Sequence, residues 1–452
     1  MRYDCIVRIG MLVRAPKLVR ADIGIVDGRI VAIEPELTGS AREEIDASGL
    51  HVLPGVIDCH VHFNEPGRTD WEGAATGSTA LAAGGGTTFF DMPLNSSPTT
   101  VDAEAFRLKR EALELASHVD FGLWGGLVPG NVKRLDELAE CGAVGFKAFM
   151  CDSGIADFVA ADDYTLWRGM QAAAALGLPV AVHAENDVIC RGLAREAITA
   201  GRRGVRDYLN SRPVVAEVEA IARVIELAAD AGCSLHIVHV SSGRGVATVA
   251  AARARGIDVT CETCPHYLVL TDEDVERIGA AAKCSPPIRG PADRDALWQG
   301  IEHGDIAFVA SDHSPAPHSM KQSENFFEIW GGIAGCQTML GVMLEEGYGR
   351  RGIPLERIAE LLSSAVARRF HIPDKGKIEV GNDADLALVD LSTSTTLKRD
   401  DLRYRHCVSP YLGRRLGGIV RRTIVRGRTV LCDGAIVGTA AGRLVRPIGA
   451  KR

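Results

Sequence analysis

No stretch of this 452-residue chain approaches the ~20 consecutive apolar residues needed to cross a bilayer, so no membrane association is expected. The opening "MRYDCIVRIG" carries Asp4 and lacks the apolar segment of a secretory signal. Positive charge is also short. The 51 Lys and Arg residues face 58 Asp and Glu residues for a net charge of −7, which removes the electrostatic motive for binding nucleic acid. The basic run "GRRLGGIVRRTIVRGR" (413–428) has no interleaved aromatics and reads as a solvated or subunit-contact face. Twelve cysteines lie scattered in apolar runs without the spacing of a disulfide scaffold, which reads as reduced core thiols in a cytoplasmic protein. "CETC" (261–264) has no second CxxC, so neither a structural zinc nor a redox motif is expected there. "GGGTT" (84–88) lacks the Lys-Ser/Thr of a phosphate-binding loop and reads as a helix end turning into a strand.

What is present is repeated alternation. Apolar runs of strand length are separated by helical segments such as "EAFRLKREALELA" and "VAEVEAIARVIELAADAG". Eight strand candidates stand out: "GVIDCHVHF", "TTFFDMP", "DFGLWGGL", "VGFKAFM", "PVAVHAE", "LHIVHVSS", "DVTCETC" and "IAFVASDH". Eight parallel strands with intervening helices predict an α/β fold, a (β/α)8 barrel. Hairpin-like texture at both chain ends predicts a small β-sandwich domain beside it. The expected division is 1–53 for the N-terminal part of the sandwich, 54–374 for the barrel and 375–452 for the C-terminal part and tail.

Barrel chemistry is carried at the C-terminal ends of strands. There stand His60, His62, Lys147, His183, His239 and Asp312. His60 and His62 are two apart, so on a strand they share a face; protonated together they would repel, and a metal ion holds such a pair together. His236 and His239 are three apart and face opposite ways, and His239 is nearer the strand end. His266 and His313 are expected to support the site from behind, whereas His318 and His371 are expected at the surface. Lys147 sits inside an apolar strand, where an unpaired ammonium is costly. It can snorkel or pair with an acid, or its neutral amine can react with CO2 to give a carbamate able to bridge two cations.

The order HxH…K…H…H…D resembles the cyclic amidohydrolases, a family that includes hydantoinase, dihydropyrimidinase, dihydroorotase and allantoinase. The likeness runs from the N-terminal β segment to "KGKIEVGNDADLALVDL". The stretches "HVHFNEPGRTDWEG", "DMPLNSSPTT", "GFKAFMCDSGI", "ETCPHYL", "KCSPPIR", "SDHSP" and "EIWGGIAG" are most similar to its allantoinase branch. The resemblance implies a barrel with a β-sandwich, a homotetramer, and two divalent metal ions, zinc first, with manganese, cobalt or iron as alternatives. It implies that His60 and His62 hold the more buried ion, that His183 and His239 hold the second, and that carboxylated Lys147 bridges them. Asp312 would bind the buried ion and carry the proton. The implied substrate is a small molecule, allantoin or a related cyclic ureide, opened to allantoate by a hydroxide bridging the two ions.

Two positions bear on which ring is opened. Dihydroorotases place an arginine two residues after HxH to grip a carboxylate; here Asn64 stands there, which suits a neutral, amide-rich substrate or caps the following turn. Asn95 and Ser285 are further candidates for substrate contact. Hydantoinases place a tyrosine five residues after the lysine, whereas this chain has Asp152, a poor oxyanion donor. The alternatives are a dihydroorotase or hydantoinase/dihydropyrimidinase activity, a one-metal deaminase on the same barrel, and a non-catalytic scaffold that has kept the fold.

Overall fold

The computed structural model describes residues 2–448. The chain opens with five strands: β1 (Arg2–Arg14), β2 (Lys17–Val26), β3 (Arg29–Glu34), β4 (Ser40–Asp46) and β5 (His51–Pro54). The next nine strands belong to a different body, and they pair in parallel. These are β6 (Val56–Val61), β7 (Gly86–Asp91), β8 (Asp120–Leu123), β9 (Gly125–Gly126), β10 (Phe146–Phe149), β11 (Val180–His183), β12 (Leu235–Ile237), β13 (Val259–Thr263) and β14 (Phe308–Val309). Each of the eight strand candidates contains one of them, and "DFGLWGGL" contains β8 and β9, interrupted at Trp124.

Pairing runs β6-β7-β8 and β9-β10-β11-β12-β13-β14. The ring is closed by a parallel bridge between Val61 and His313, where the His62 amide donates to the His313 carbonyl at 2.7 Å. The barrel interior is filled, as for its class. Phe370 packs edge-on to Phe90, Trp124 and His236 at 5.4, 5.1 and 5.8 Å, and lies 5.9 Å from Phe308. The glycine run behaves as expected: the helix Ala74–Ala83 ends at Gly84, Gly85 takes φ +83°, a left-handed turn that favours glycine, and β7 follows at once.

After the barrel come β15 (Leu386–Thr396), β16 (Arg415–Val425), β17 (Arg428–Cys432) and β18 (Ala435–Ile436). They join the first five strands in one nine-stranded sheet, because β15 pairs antiparallel with β5, Leu386 opposite Pro54. The long β1 pairs β4 along its first half and β5 along its second. The sheet therefore folds over on itself as a small sandwich around Val7, Leu12, Ile23, Ile25, Val52, Leu386 and Ile424.

Barrel and sheet are tied by buried charge. The Lys375 ammonium lies 2.7 Å from Asp120 on β8, 2.9 Å from Asp383 and 2.6 Å from Asp385. Arg426, in the turn between β16 and β17, also donates to Asp120. All twelve cysteines are unpaired and nine are buried. Among the described residues no helix is long and apolar enough to cross a membrane.

Candidate metal centre and cavity

The six residues singled out at the strand ends converge. Ring centroids are 5.5 Å apart for His60 and His62, 5.4 Å for His60 and His239, and 4.6 Å for His183 and His239. Asp312 Oδ1 lies 3.2 Å from His60 Nε2 and 3.4 Å from His62 Nε2. The five residues other than Lys147 line a cavity of about 410 Å³. Their backbone is not relaxed: His239 and Asp312 hold φ of 39° and 45°, and Asn95 on the same wall holds 69°. Non-glycine residues in this region carry strain of about 1–3 kcal/mol each, which the surrounding packing must sustain.

The donor set fits cations. His60 Nδ1 faces Glu262 Oε1 at 2.6 Å and so carries the ring proton. His60 Nε2 then presents a lone pair to the Asp312 carboxylate, and His62 Nε2 lies beside the same oxygen while its own Nδ1 has no partner. Acceptors facing acceptors need a proton or a metal ion between them. Burial lowers the pKa of His62, outweighing the pull of Asp312, so the neutral ring is favoured there. His239 is pushed well below the usual imidazole range by burial and by the neighbouring His183 and Lys147. The carboxyl of Asp312 is raised by burial but lowered more by His60 and His62, to about 2, so it is ionised.

Lys147, on β10, has no exposed surface, and its Nζ has no hydrogen-bond partner. The ammonium lies 4.7 Å over the Phe149 ring, which itself stacks on His183 at 4.5 Å. Burial lowers the Lys147 pKa from 10.5 to about 7, despite the nearby Asp312 and Glu262. The chain thus holds a lysine with a large neutral fraction near His183 and His239.

Two buried carboxylates behind the rings are not evident from the sequence pattern. Glu262 on β13 accepts from His60, and its other oxygen lies 3.1 Å from His236 Nε2 and 3.2 Å from Cys59 Sγ. Glu185 Oε2 lies 2.8 Å from His183 Nε2 and is also held by Arg212. His236 faces away from the cavity, as the three-residue spacing required. His266 and His313 are fully buried, and His318 and His371 are exposed.

The substrate candidates separate. Asn95 and Ser285 line the cavity, and the Ser285 hydroxyl shares a 2.6 Å hydrogen bond with Tyr208. Asn64 does not line it: it is buried with φ 65°, its amide points to the Pro315 carbonyl at 3.5 Å, and its own carbonyl accepts from the Arg68 amide. Asp152 is on the wall, but its loop consumes its own donors. The Ser153 hydroxyl donates to the Phe158 carbonyl at 2.7 Å, the Asp152 amide to Asp187 at 3.1 Å and the Gly154 amide to Asp152 at 3.0 Å. Trp330 closes another side and packs edge-on against Trp71 at 4.9 Å, so the "RTDWEG" loop acts through it.

The family model described as "Amidohydrolase family" matches residues 51–430. An allantoinase of Rubrobacter xylanophilus is 62% identical, covering 98% of this chain and 98% of that protein. An allantoinase of Solibacter usitatus is 58% identical over 98% of this chain and 97% of its own length. Among solved structures, the L-hydantoinase (dihydropyrimidinase) from Arthrobacter aurescens superposes with a TM-score of 0.96 at 36% identity, covering 98% of this chain and 100% of that one. The dihydropyrimidinase from Brevibacillus agri NCHU1002 gives 0.93 at 32% identity, with 99% of each chain covered.

Proposed function

This chain belongs to the amidohydrolase family, and from that premise we propose that it hydrolyses a cyclic amide, opening the hydantoin ring of allantoin to allantoate. The observation that carries the reading is the unpartnered, fully buried Lys147 amine near His183, His239 and an ionised Asp312. We assign His60, His62 and Asp312 to one divalent ion and His183 and His239 to a second. Lys147, after its neutral amine adds to CO2 and releases a proton, would join them as a carbamate. Zinc suits imidazole and carboxylate oxygen, with manganese, cobalt or iron as alternatives.

When bound, such a pair of ions supplies Lewis acidity towards a ring carbonyl and draws the pKa of water towards neutrality. The remaining work is done by side chains. Asp312, ionised and at the cavity wall, takes the proton of the attacking water on its carboxylate. The protonated carboxyl then returns that proton to the departing ring nitrogen. Phe149, Ile329 and Trp330 exclude solvent, while Asn95 and Ser285 offer polar contacts to the ring. The free thiols suit a reducing compartment, so we assign the enzyme to the cytoplasm. A homotetrameric state is carried over from the family resemblance alone.

A second reading, hydrolysis of hydantoin or dihydropyrimidine rings, is favoured by the names of the solved neighbours. One experiment separates them: turnover of allantoin, hydantoin, dihydrouracil and dihydroorotate by one purified sample, before and after chelation. The expected result is a kcat/KM for allantoin at least about tenfold above the others, lost on chelation and restored by added zinc, manganese or cobalt. A preference for dihydroorotate or hydantoin, or full activity in chelator, refutes the proposal.

A further inference from the structure

Glu262 is a carboxylate buried to 1% exposure, yet among the described residues no lysine or arginine lies within ion-pairing distance of it. That is unusual, because taking a carboxylate out of water costs several kcal/mol unless a cation or good hydrogen bonds offset it. Its hydrogen bonds are full on both oxygens. Oε1 takes His60 Nδ1 at 2.6 Å; Oε2 takes His236 Nε2 at 3.1 Å and Cys59 Sγ at 3.2 Å. His236 is in turn oriented by Thr260 Oγ1, 2.9 Å from its Nδ1, and its ring is stacked on Phe308 at 4.8 Å. The row Thr260–His236–Glu262–His60 therefore ends at one ring nitrogen, His60 Nε2, which faces Asp312.

We propose that Glu262 is the positioning residue of this site, holding His60 in the Nδ1-protonated tautomer so that Nε2 meets the metal, with His236 serving as its clamp. This rests on the two-metal reading above. A carboxylate on the far nitrogen fixes the ring and makes the near nitrogen a stronger donor. The contrast with Glu185 gives the proposal its specific content. Glu185 performs the same task for His183, but Arg212 neutralises it. Among the described residues Glu262 has no such arginine, and of the six ligand candidates it hydrogen-bonds His60 alone. Its loss therefore weakens the ion held by His60 and His62 selectively and leaves the ion held by His183 and His239 nearly unchanged.

The test is zinc competition against a graded chelator, resolving both ions, on the native protein and on Glu262→Gln, Glu262→Ala and His236→Gln. Glu262→Ala is expected to weaken one of the two ions by about 10–100-fold. Glu262→Gln, whose amide oxygen still accepts from Nδ1–H, is expected to lose less. His236→Gln keeps the carboxylate, guards against a folding defect in the Glu262 variants, and is expected to fall between native and Glu262→Ala. Nitrogen spectra of histidine-labelled, metal-free protein should show His60 in one tautomer in the native chain and a mixture in Glu262→Ala. Equal weakening of both ions, or affinities within twofold of native in Glu262→Ala and His236→Gln, overturns the role of Glu262. A native protein that takes up no divalent ion overturns the two-metal reading instead.

Discussion

Replacing Lys147 with methionine should make the metal-free protein more stable and, at the same time, inactive. The side chain is fully buried and its Nζ unpartnered, and burial lowers its pKa from 10.5 to about 7. At ~1.4 kcal/mol per pH unit, that depression amounts to a penalty of about 5 kcal/mol on the native state. The sign follows from proton binding. Between pH 7 and 10.5 the unfolded chain keeps the lysine proton and the folded chain does not, so native stability rises with pH across that window. The penalty is complete at and below pH 7 and gone near pH 10.5. Methionine, similar in length and uncharged, escapes it. The advantage of Lys147→Met over native should therefore shrink by about 3 kcal/mol between pH 7 and 9.5, on top of a constant packing offset. Urea unfolding followed by tryptophan fluorescence, in chelator and CO2-free buffer, measures this difference. Comparing the two proteins at each pH cancels every other titrating group. A stability difference that stays flat over that range would mean that the lysine is already compensated in the folded chain, and the argument for a reactive neutral amine would fail. With metal and bicarbonate restored, the order should reverse, because ions that bind only the folded native site add their binding free energy to its stability.

For Asp312→Asn, turnover should fall by about 10²–10⁴-fold with a smaller loss of metal, since the amide cannot take up a proton. Steady-state kinetics with metal analysis on the same sample checks this, and near-native turnover would assign the proton transfer to another group. Lys375→Met strands Asp120, Asp383 and Asp385 without their shared cation and should cost about 3–5 kcal/mol in urea unfolding. A loss below about 1 kcal/mol would mean that Arg426 alone compensates the cluster.

The barrel was legible because its strands are fully buried runs whose composition and length carry the signal without partners. "GVIDCHVHF" announces both a strand and a shared face for His60 and His62, and the three-residue spacing of His236 and His239 correctly assigns one to the cavity and one away from it. The carboxylates behind the rings were not legible. Glu262 sits inside "CETC", where the cysteines draw attention and the carboxylate that meets His60 is one of the two residues between them. Its partners His60 and His236 come from β6 and β12, and no spacing within one strand encodes a contact across three. Arg212 is hidden for the same reason, since it meets Glu185 only through the tertiary fold. Asn64 was singled out by residue type alone, whereas where its side chain lies depends on a left-handed backbone that the sequence does not announce, with its amide towards the Pro315 carbonyl.

The pairing of β5 with β15 gives the chain a biosynthetic timetable. Pro54 leaves the ribosome roughly 330 residues ahead of its partner Leu386, which at ~5–20 residues per second is a wait of roughly 20–60 s. The barrel can close only once His313 has followed, roughly 260 residues behind Pro54, and throughout the interval the edge of β5 stays open. Such an edge is a template for strands of neighbouring nascent chains. Slower initiation or a holding chaperone during heterologous production is therefore expected to raise the soluble yield.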